Sequence, residues 1–364
     1  MRKRRIVFVM HALHSGGAER IVVSLANHID RQKYEVHLIL LHASGAFLQD
    51  LASDIVLHDL KINSATKGLI PLVRQLIRLE PDVIFGGIGY LNALLSVSIP
   101  WVNRRVKKPI KWVARETSIV SLIIKKERFT PVFEWLYRHS YRNFNQIICQ
   151  SEYMKHDLKT NYALPDHKMV VIHNPVDTEK IDAMVLEPLA YWFDPHKINL
   201  LAVGAFRPVK QFDKLLEVLV ALDNRFHLTL VGEGAERTAL EAKSTALGIQ
   251  DRVSFVGYQA NPYAYMKQAD LLLLSSEYEG FPNVVLEANY CGLPVIGFDA
   301  PGGIGEIVQE GVNGQLVALN DVVGMIEAIK RFSKADYDPK RLQKMILERY
   351  GMRRILTSYE AVIG

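Results

Sequence analysis

Short apolar runs alternating with segments of helical period recur along almost the whole of this 364-residue chain. That alternation restricts the fold more than any single residue does. Ile6–Met10, Val36–Leu41, Asp82–Phe85, Ile110–Ala114, Gln146–Gln150 and Met169–His173 read as strands, each followed by material of helical period. Strand, helix, strand in succession requires a crossover connection, so the sheet is parallel and doubly wound. The pattern stops at His173-Asn174-Pro175-Val176-Asp177, and Pro188, Pro195 and mixed polarity up to Lys197 read as a linker. It restarts with Asn199–Val203, His227–Val231, Val253–Phe255, Asp270–Leu274 and Pro294–Gly297. The expected architecture is α/β, with two Rossmann-like doubly wound domains at 1–185 and 186–345 and a helical tail at 346–364.

Composition removes several alternatives. With 49% hydrophobic and 23% charged residues the chain has enough apolar surface for two cores, so long disorder is excluded. Only Cys149 and Cys291 occur, which rules out a disulfide framework, and no Cys/His ligand spacing for a structural zinc site is present. A reducing cytoplasm fits. The basic start Met1–Arg5 precedes only five apolar residues and no cleavage site, so it reads as a first strand rather than a signal peptide. Val83–Asn103 carries no charge over 21 residues, but Gly86, Gly87, Gly89, Asn92 and Pro100 divide it, so a buried strand, a glycine turn and a buried helix are expected instead of a membrane span. The dinucleotide fingerprint G-x-G-x-x-G is absent, which argues against a dehydrogenase.

The stretch Ser275 to Ala288 is the most informative one chemically. It takes a polar loop from an apolar strand to a helix that Asn283 is expected to cap. Free N–H groups and the helix dipole at such a turn suit a phosphate. Glu279 lies before the helix and Glu287 about one turn, roughly 6 Å, inside it. Carboxylates repel phosphate but accept sugar hydroxyls, so a diphosphate with a sugar at either end, a nucleotide-sugar, satisfies the stretch.

Glu279-Gly280-Phe281 and Leu286-Glu287-Ala288 resemble the E-x7-E signature of retaining GT-B glycosyltransferases of glycosyltransferase family 4. The resemblance implies two domains facing a central cleft, an N-terminal acceptor-binding and a C-terminal nucleotide-sugar-binding one, with the last helix crossing back to the first. It implies that Glu279 holds the transferred sugar, Glu287 the ribose, and Gly257 and Tyr258 the base. Gly280, Phe281, Pro282, Asn283, Gly302 and Gly303 then border the donor, as do Gly16 and Gly17 in His14–Arg20. Lys210 stands where the family pattern G-R-L-x-x-x-K places its Lys; Ala205 replaces the family Arg, and Arg207 is the candidate to take its role. Lys210 and Arg207 would stabilise charge on the leaving diphosphate. A family His is missing after Ile110–Ala114, where Glu116 is the nearest replacement, although a surface Glu beside Arg115 is the plainer reading. Asp336-Tyr337-Asp338 is the sole D-x-D but sits between late helices, so no metal and no other cofactor is expected.

Charge is uneven. Net charge is +5, yet Arg104–Arg142 alone is +8. Within it Ile123, Ile124, Phe129, Phe133, Trp135, Tyr137 and Tyr141 interleave with cations, which suits a surface helix on an anionic membrane, with Lys125, Lys126, Arg128 and Trp135 as contacts. No nucleic-acid motif accompanies it. The expected function is transfer of a hexose or N-acetylhexosamine from a nucleoside diphosphate sugar, UDP foremost, to a lipid-linked glycan in cell-surface polysaccharide or lipopolysaccharide synthesis, by a cytoplasmic protein at the inner face of the membrane. A nucleotide-sugar epimerase or hydrolase on the same fold, or a non-catalytic binding subunit, are the alternatives.

Overall fold

The computed structural model describes residues 2–14, 16–63, 65–125, 130–189, 191 and 193–364. They form two compact units, Met1–Pro175 with Arg353–Gly364, and Val176–Met352.

The first unit holds β1 (Arg4–Met10), β2 (Tyr34–Leu40), β3 (Val56–Asp59), β4 (Val83–Gly86), β5 (Lys111–Arg115), β6 (Gln146–Cys149) and β7 (Met169–Val171). The sheet order is β3-β2-β1-β4-β5-β6-β7, every pair parallel. Helices cover both faces, so the central strands are apolar throughout: Ile6 to Met10 are all buried. The helix Met352–Ile363 returns Ile355, Tyr359 and Ile363 to the core of this unit, beside Ile6, Phe8 and Phe85.

The second unit holds β8 (Ile198–Val203), β9 (Phe226–Val231), β10 (Val253–Gly257), β11 (Leu271–Leu274), β12 (Val295–Phe298) and β13 (Gly314–Val317), in the order β10-β9-β8-β11-β12-β13 and again all parallel. Alternate side chains of β11 enter opposite cores: Leu272 and Leu274 pack with Val285 and Tyr350, and Leu271 and Leu273 with Leu215 and Met325. This is the two-sided burial that a run of four leucines requires.

Four features depart from the sequence reading. The first unit ends at Pro175, not 185, because the helix Thr178–Met184 buries Ile181 in the core of the second unit. Two strands, β3 and β13, are additional; both are sheet edges. Tyr137, Tyr141 and Ile124 are buried instead of lining a surface helix, and the segment is broken into Val120–Ile124, Thr130–Trp135, a π turn at Leu136–Ser140 and a 3-10 turn at Tyr141–Asn143. Lys126 and Arg128 lie outside the described residues. Finally, Asn283 is the first residue of its helix; Pro282 holds the cap position, with no side-chain cap bond. Val83–Asn103 divides into β4, a glycine turn and the helix Gly89–Arg105, and among the described residues no helix is long and apolar enough to cross a membrane.

Candidate active site

In the second unit the strand order reverses between β8 and β11, and a doubly wound sheet opens a crevice at that point, beyond its carboxyl ends. Lys210, after β8, and Glu279, after β11, meet across it: Lys210 Nζ lies 2.5 Å from Glu279 Oε1, with the two side chains 23% and 14% exposed. Ser276 Oγ donates to the same oxygen at 2.7 Å, and Ser275 Oγ donates to the Lys210 carbonyl at 2.7 Å. Glu277 N–H donates to the Val209 carbonyl at 2.8 Å, fastening the two loops. Each charge is held by a partner on the neighbouring loop.

The loop after β12 joins them. Glu279 N–H donates to Pro301 O and Gly303 N–H to Gly280 O, both at 3.0 Å, and Glu279 pairs with Gly302 as a parallel bridge. Gly302 has φ +124°, and a Cβ there would lie 1.5 Å from the Glu279 carbonyl oxygen. Glycine is obligatory, since both the left-handed backbone and the contact forbid a side chain. On the other side of β8, Phe206 N–H donates to Glu233 O at 2.8 Å and Gly232 N–H to Gly257 O at 2.9 Å, so the loops after β8, β9 and β10 are knitted too. Gly257 has φ +76° and is followed by Tyr258, half exposed.

Arg207 is exposed and has no ion-pair partner among the described residues. Phe206 is buried in the core while Ala205 and Arg207 on either side are exposed, so Arg207 shares the outward side of the chain with Ala205. Glu287 sits in the second turn of the helix Asn283–Tyr290 and is 9% exposed. Phe281 is turned inward, its ring edge-on to Tyr350 at 5.7 Å, so it supports the loop from below. Tyr350 in turn donates its hydroxyl to the Glu306 carbonyl at 3.1 Å, which anchors the Gly302-Gly303 turn to the helix Pro339–Tyr350.

In the first unit the order reverses between β1 and β4. The loop after β1 brings His11 to 6.0 Å from the Tyr90 ring after β4. Burial, and then the charges of His14 and His42, hold the His11 imidazole below its ordinary pKa. Gly16 caps the helix Gly17–His28, and Glu19 at the third helical position folds back so closely that a Cβ on Gly16 would meet its carboxylate at 2.2 Å. Burial raises the Glu19 pKa above the usual carboxylate range.

Glu116 is not a surface residue. It follows β5 and is 2% exposed. Tyr137 donates to Oε2 at 3.3 Å, Tyr141 donates to Oε1, and Asn92 reaches Oε1 at 3.5 Å. Burial, only partly offset by these hydroxyls, pushes its pKa up to about 7. Arg115, fully buried beside it, donates to Asn174 Oδ1 at 2.6 Å and to the Tyr359 hydroxyl at 3.1 Å. Its partners are therefore neutral, and Tyr359 comes from the last helix.

Residues 192–349 match the family model Glycosyl transferases group 1, and residues 15–180 match Glycosyltransferase Family 4. Between them the two matches take in every strand of the two sheets except β1. The chain belongs to glycosyltransferase family 4. Among its relatives, the N-acetylgalactosamine-N,N'-diacetylbacillosaminyl-diphospho-undecaprenol 4-alpha-N-acetylgalactosaminyltransferase of Campylobacter jejuni is 25% identical over 340 residues, covering 92% of this chain and 91% of its own. The lipopolysaccharide core biosynthesis glycosyltransferase LpsE of Rhizobium meliloti is 25% identical over 335 residues, 88% of this chain and 86% of its own. The structure of HepE from Anabaena, solved in complex with UDP, superposes with a TM-score of 0.79 at 21% identity over 99% of both chains. That likeness shows the GT-B fold.

Within this glycosyltransferase the structure gathers Lys210, Glu279, Gly280, Gly302 and Gly303 at one crevice, while Arg207, Gly257, Tyr258 and Glu287 occupy the same end of the same unit. Gly16, Gly17 and Glu116 belong to the other unit. Asp338 of the D-x-D caps the helix Pro339–Tyr350, its carboxylate accepting from Lys340 N–H at 2.9 Å, which gives it a structural task. The sequence reading of this glycosyltransferase missed Ser275, whose bond to the Lys210 carbonyl no motif marks, and Tyr137 and Tyr141 as partners of Glu116.

Proposed function

We propose that this glycosyltransferase moves a hexose or N-acetylhexosamine, with retention, from a UDP-sugar to a lipid-linked glycan in lipopolysaccharide or polysaccharide synthesis. The observation that carries the donor side is the Lys210–Glu279 pair across the β8/β11 crevice. It sets a cation where a leaving diphosphate gathers charge and a carboxylate where sugar hydroxyls need an acceptor. The relatives support the acceptor class, since one is named for a diphospho-undecaprenol substrate and another for lipopolysaccharide core synthesis.

On this reading Lys210 turns from Glu279 to the diphosphate when donor enters, and Arg207 adds a second cation from the outward side of its loop. Glu279, freed of Lys210 but still held by Ser276, accepts from the transferred sugar. Glu287 takes the ribose hydroxyls, and Gly257 and Tyr258 border the base. As the sugar–phosphate bond breaks, the leaving phosphate accepts the proton of the incoming hydroxyl on the same face of the sugar. Lysine then supplies the charge stabilisation that a metal provides elsewhere, so the reaction is proposed to be metal-independent. Peripheral binding to an anionic membrane through Lys125, Lys126, Arg128 and Trp135 places the enzyme at its acceptor; Trp135 is 55% exposed.

Calorimetric titration with UDP-sugars tests the donor assignment. Glu287→Ala is expected to lose nucleotide affinity, and Glu279→Ala mainly turnover. If both variants bind and react as the parent does, the crevice is not the donor site. Charge reversal at Lys125, Lys126 and Arg128 tests the membrane assignment, which fails if binding to anionic vesicles at low salt is unchanged.

A further inference from the structure

A second cation-rich site lies in the first unit, away from the β1/β4 crevice of that unit. A cleft of about 340 Å³ is lined by Arg138, His139, Arg142, Tyr162 and Ala163. Arg142 lies in the turn just before β6, and Ala163 ends the helix Glu152–Tyr162 that follows β6. Both therefore sit at the amino-terminal rim of the sheet, the opposite rim from the one used by nucleotide ligands in doubly wound folds.

The side chains are held in place by neutral partners. The Arg138 guanidinium lies 5.6 Å from the centre of the Tyr162 ring. Arg142 Nη2 donates to the Ala163 carbonyl at 2.9 Å, at a residue whose left-handed backbone, φ 52°, turns the chain out of the helix. His139 Nδ1 lies 3.0 Å from the Trp135 carbonyl, which makes that nitrogen the N–H donor, and its ring stacks on Trp135 at 5.1 Å. The neighbouring acids do not neutralise them. Asp166 is taken by Lys155 and Lys159 at 3.5 and 3.3 Å, and Asp157 accepts from Asn161 and the Ser121 N–H. Glu134, one turn before Arg138, makes no ion pair with it among the described residues. Two fork-shaped guanidinium groups thus line one cleft with no carboxylate ion-paired to either among the described residues, the arrangement that binds a phosphate group by paired N–H donors.

We propose that this cleft is a binding site for a phosphate group, carried by a lipid headgroup or by a soluble phosphate ester. It goes beyond the donor and membrane assignments above and shares with them only Trp135, which supports His139 from outside the cleft lining. The test employs the full chain with UDP saturating the donor site. Glycerol 3-phosphate in solution is followed by ligand-observed phosphorus NMR, and phosphatidylglycerol in phosphatidylcholine vesicles by co-sedimentation. The Arg138→Ala/Arg142→Ala variant is expected to weaken binding on the order of tenfold, and Arg138→Lys/Arg142→Lys, which keeps the charge but loses the fork, several-fold. Unchanged UDP affinity in both variants verifies the fold, and charge reversal at Lys125, Lys126 and Arg128 leaves glycerol phosphate binding intact. Binding of both probes assigns the phosphate group itself, and binding of vesicles alone with loss in the lysine variant assigns a bilayer headgroup. The site is overturned if neither probe binds, if the alanine pair binds as the parent does, or if the lysine pair retains full affinity, which would reduce the effect to net charge.

Discussion

Glu279 and Glu116 each follow a central strand of their sheet, and the two units treat them in opposite ways. Glu279 faces a lysine across an open crevice and stays partly exposed. Glu116 is sealed among two tyrosine hydroxyls and an asparagine, and burial raises its pKa to about 7. A carboxylate paired with a movable cation can exchange that cation for a ligand. One enclosed by hydroxyls on fixed elements cannot, and contributes to the architecture of its unit. On the proposed reading, the difference separates a site that trades its cation for a donor from a network that braces β5 against the last helix through Arg115 and Tyr359.

The largest effect is expected at the ion pair. Lys210→Ala should lower kcat/KM on the order of 10²–10³-fold, as loss of a charge-stabilising group at a leaving atom does. A drop below about threefold would make Lys210 a loop fastener like Ser275. Arg207→Ala, with a more exposed and unpaired cation, is expected to cost less in the same assay.

Two stability measurements sharpen the contrast. Glu116 has a folded-state pKa above its unfolded value, so its contribution is complete below about pH 4.5 and is lost as pH rises through about 7, amounting to about 3 kcal/mol across that window. Glu116→Gln should flatten urea-unfolding stability over the same range; an unaltered pH profile would show that another group titrates there. Gly302→Ala should destabilise the second unit by about 2–3 kcal/mol, since its Cβ meets the Glu279 carbonyl, and should lower turnover with it. Tyr141→Phe is the smallest change, about 1 kcal/mol for one buried hydrogen bond, with no direct effect on nucleotide binding. Weaker UDP binding in that variant would join the two regions that the comparison keeps apart.

The doubly wound architecture was legible because two-sided burial leaves unbroken apolar runs, such as Leu271–Leu274. The edge strands were not. Val56–Asp59 has no buried residue and Gly314–Val317 only one, so neither shows an interior run. The Lys210–Glu279 crevice was legible through motif spacing, although the spacing did not indicate that the two residues pair with each other. The environment of Glu116 was hidden because its partners are 21 and 25 residues away and in sequence look like aromatics on a basic surface helix. The same tyrosines suit a membrane-facing helix in sequence; in the structure both are buried, Tyr137 within a π turn and Tyr141 in the 3-10 turn that follows it.

The most direct test of the central claim is release of nucleoside diphosphate from a panel of nucleotide-sugars in chelator, with and without a membrane lipid extract. Release that depends on a UDP-sugar and on the extract, and that Lys210→Ala lowers on the order of 10²–10³-fold, is the predicted result. Release without extract would contradict it in favour of hydrolysis or epimerisation, and tight nucleotide binding with no release from any sugar would make the chain a binding subunit.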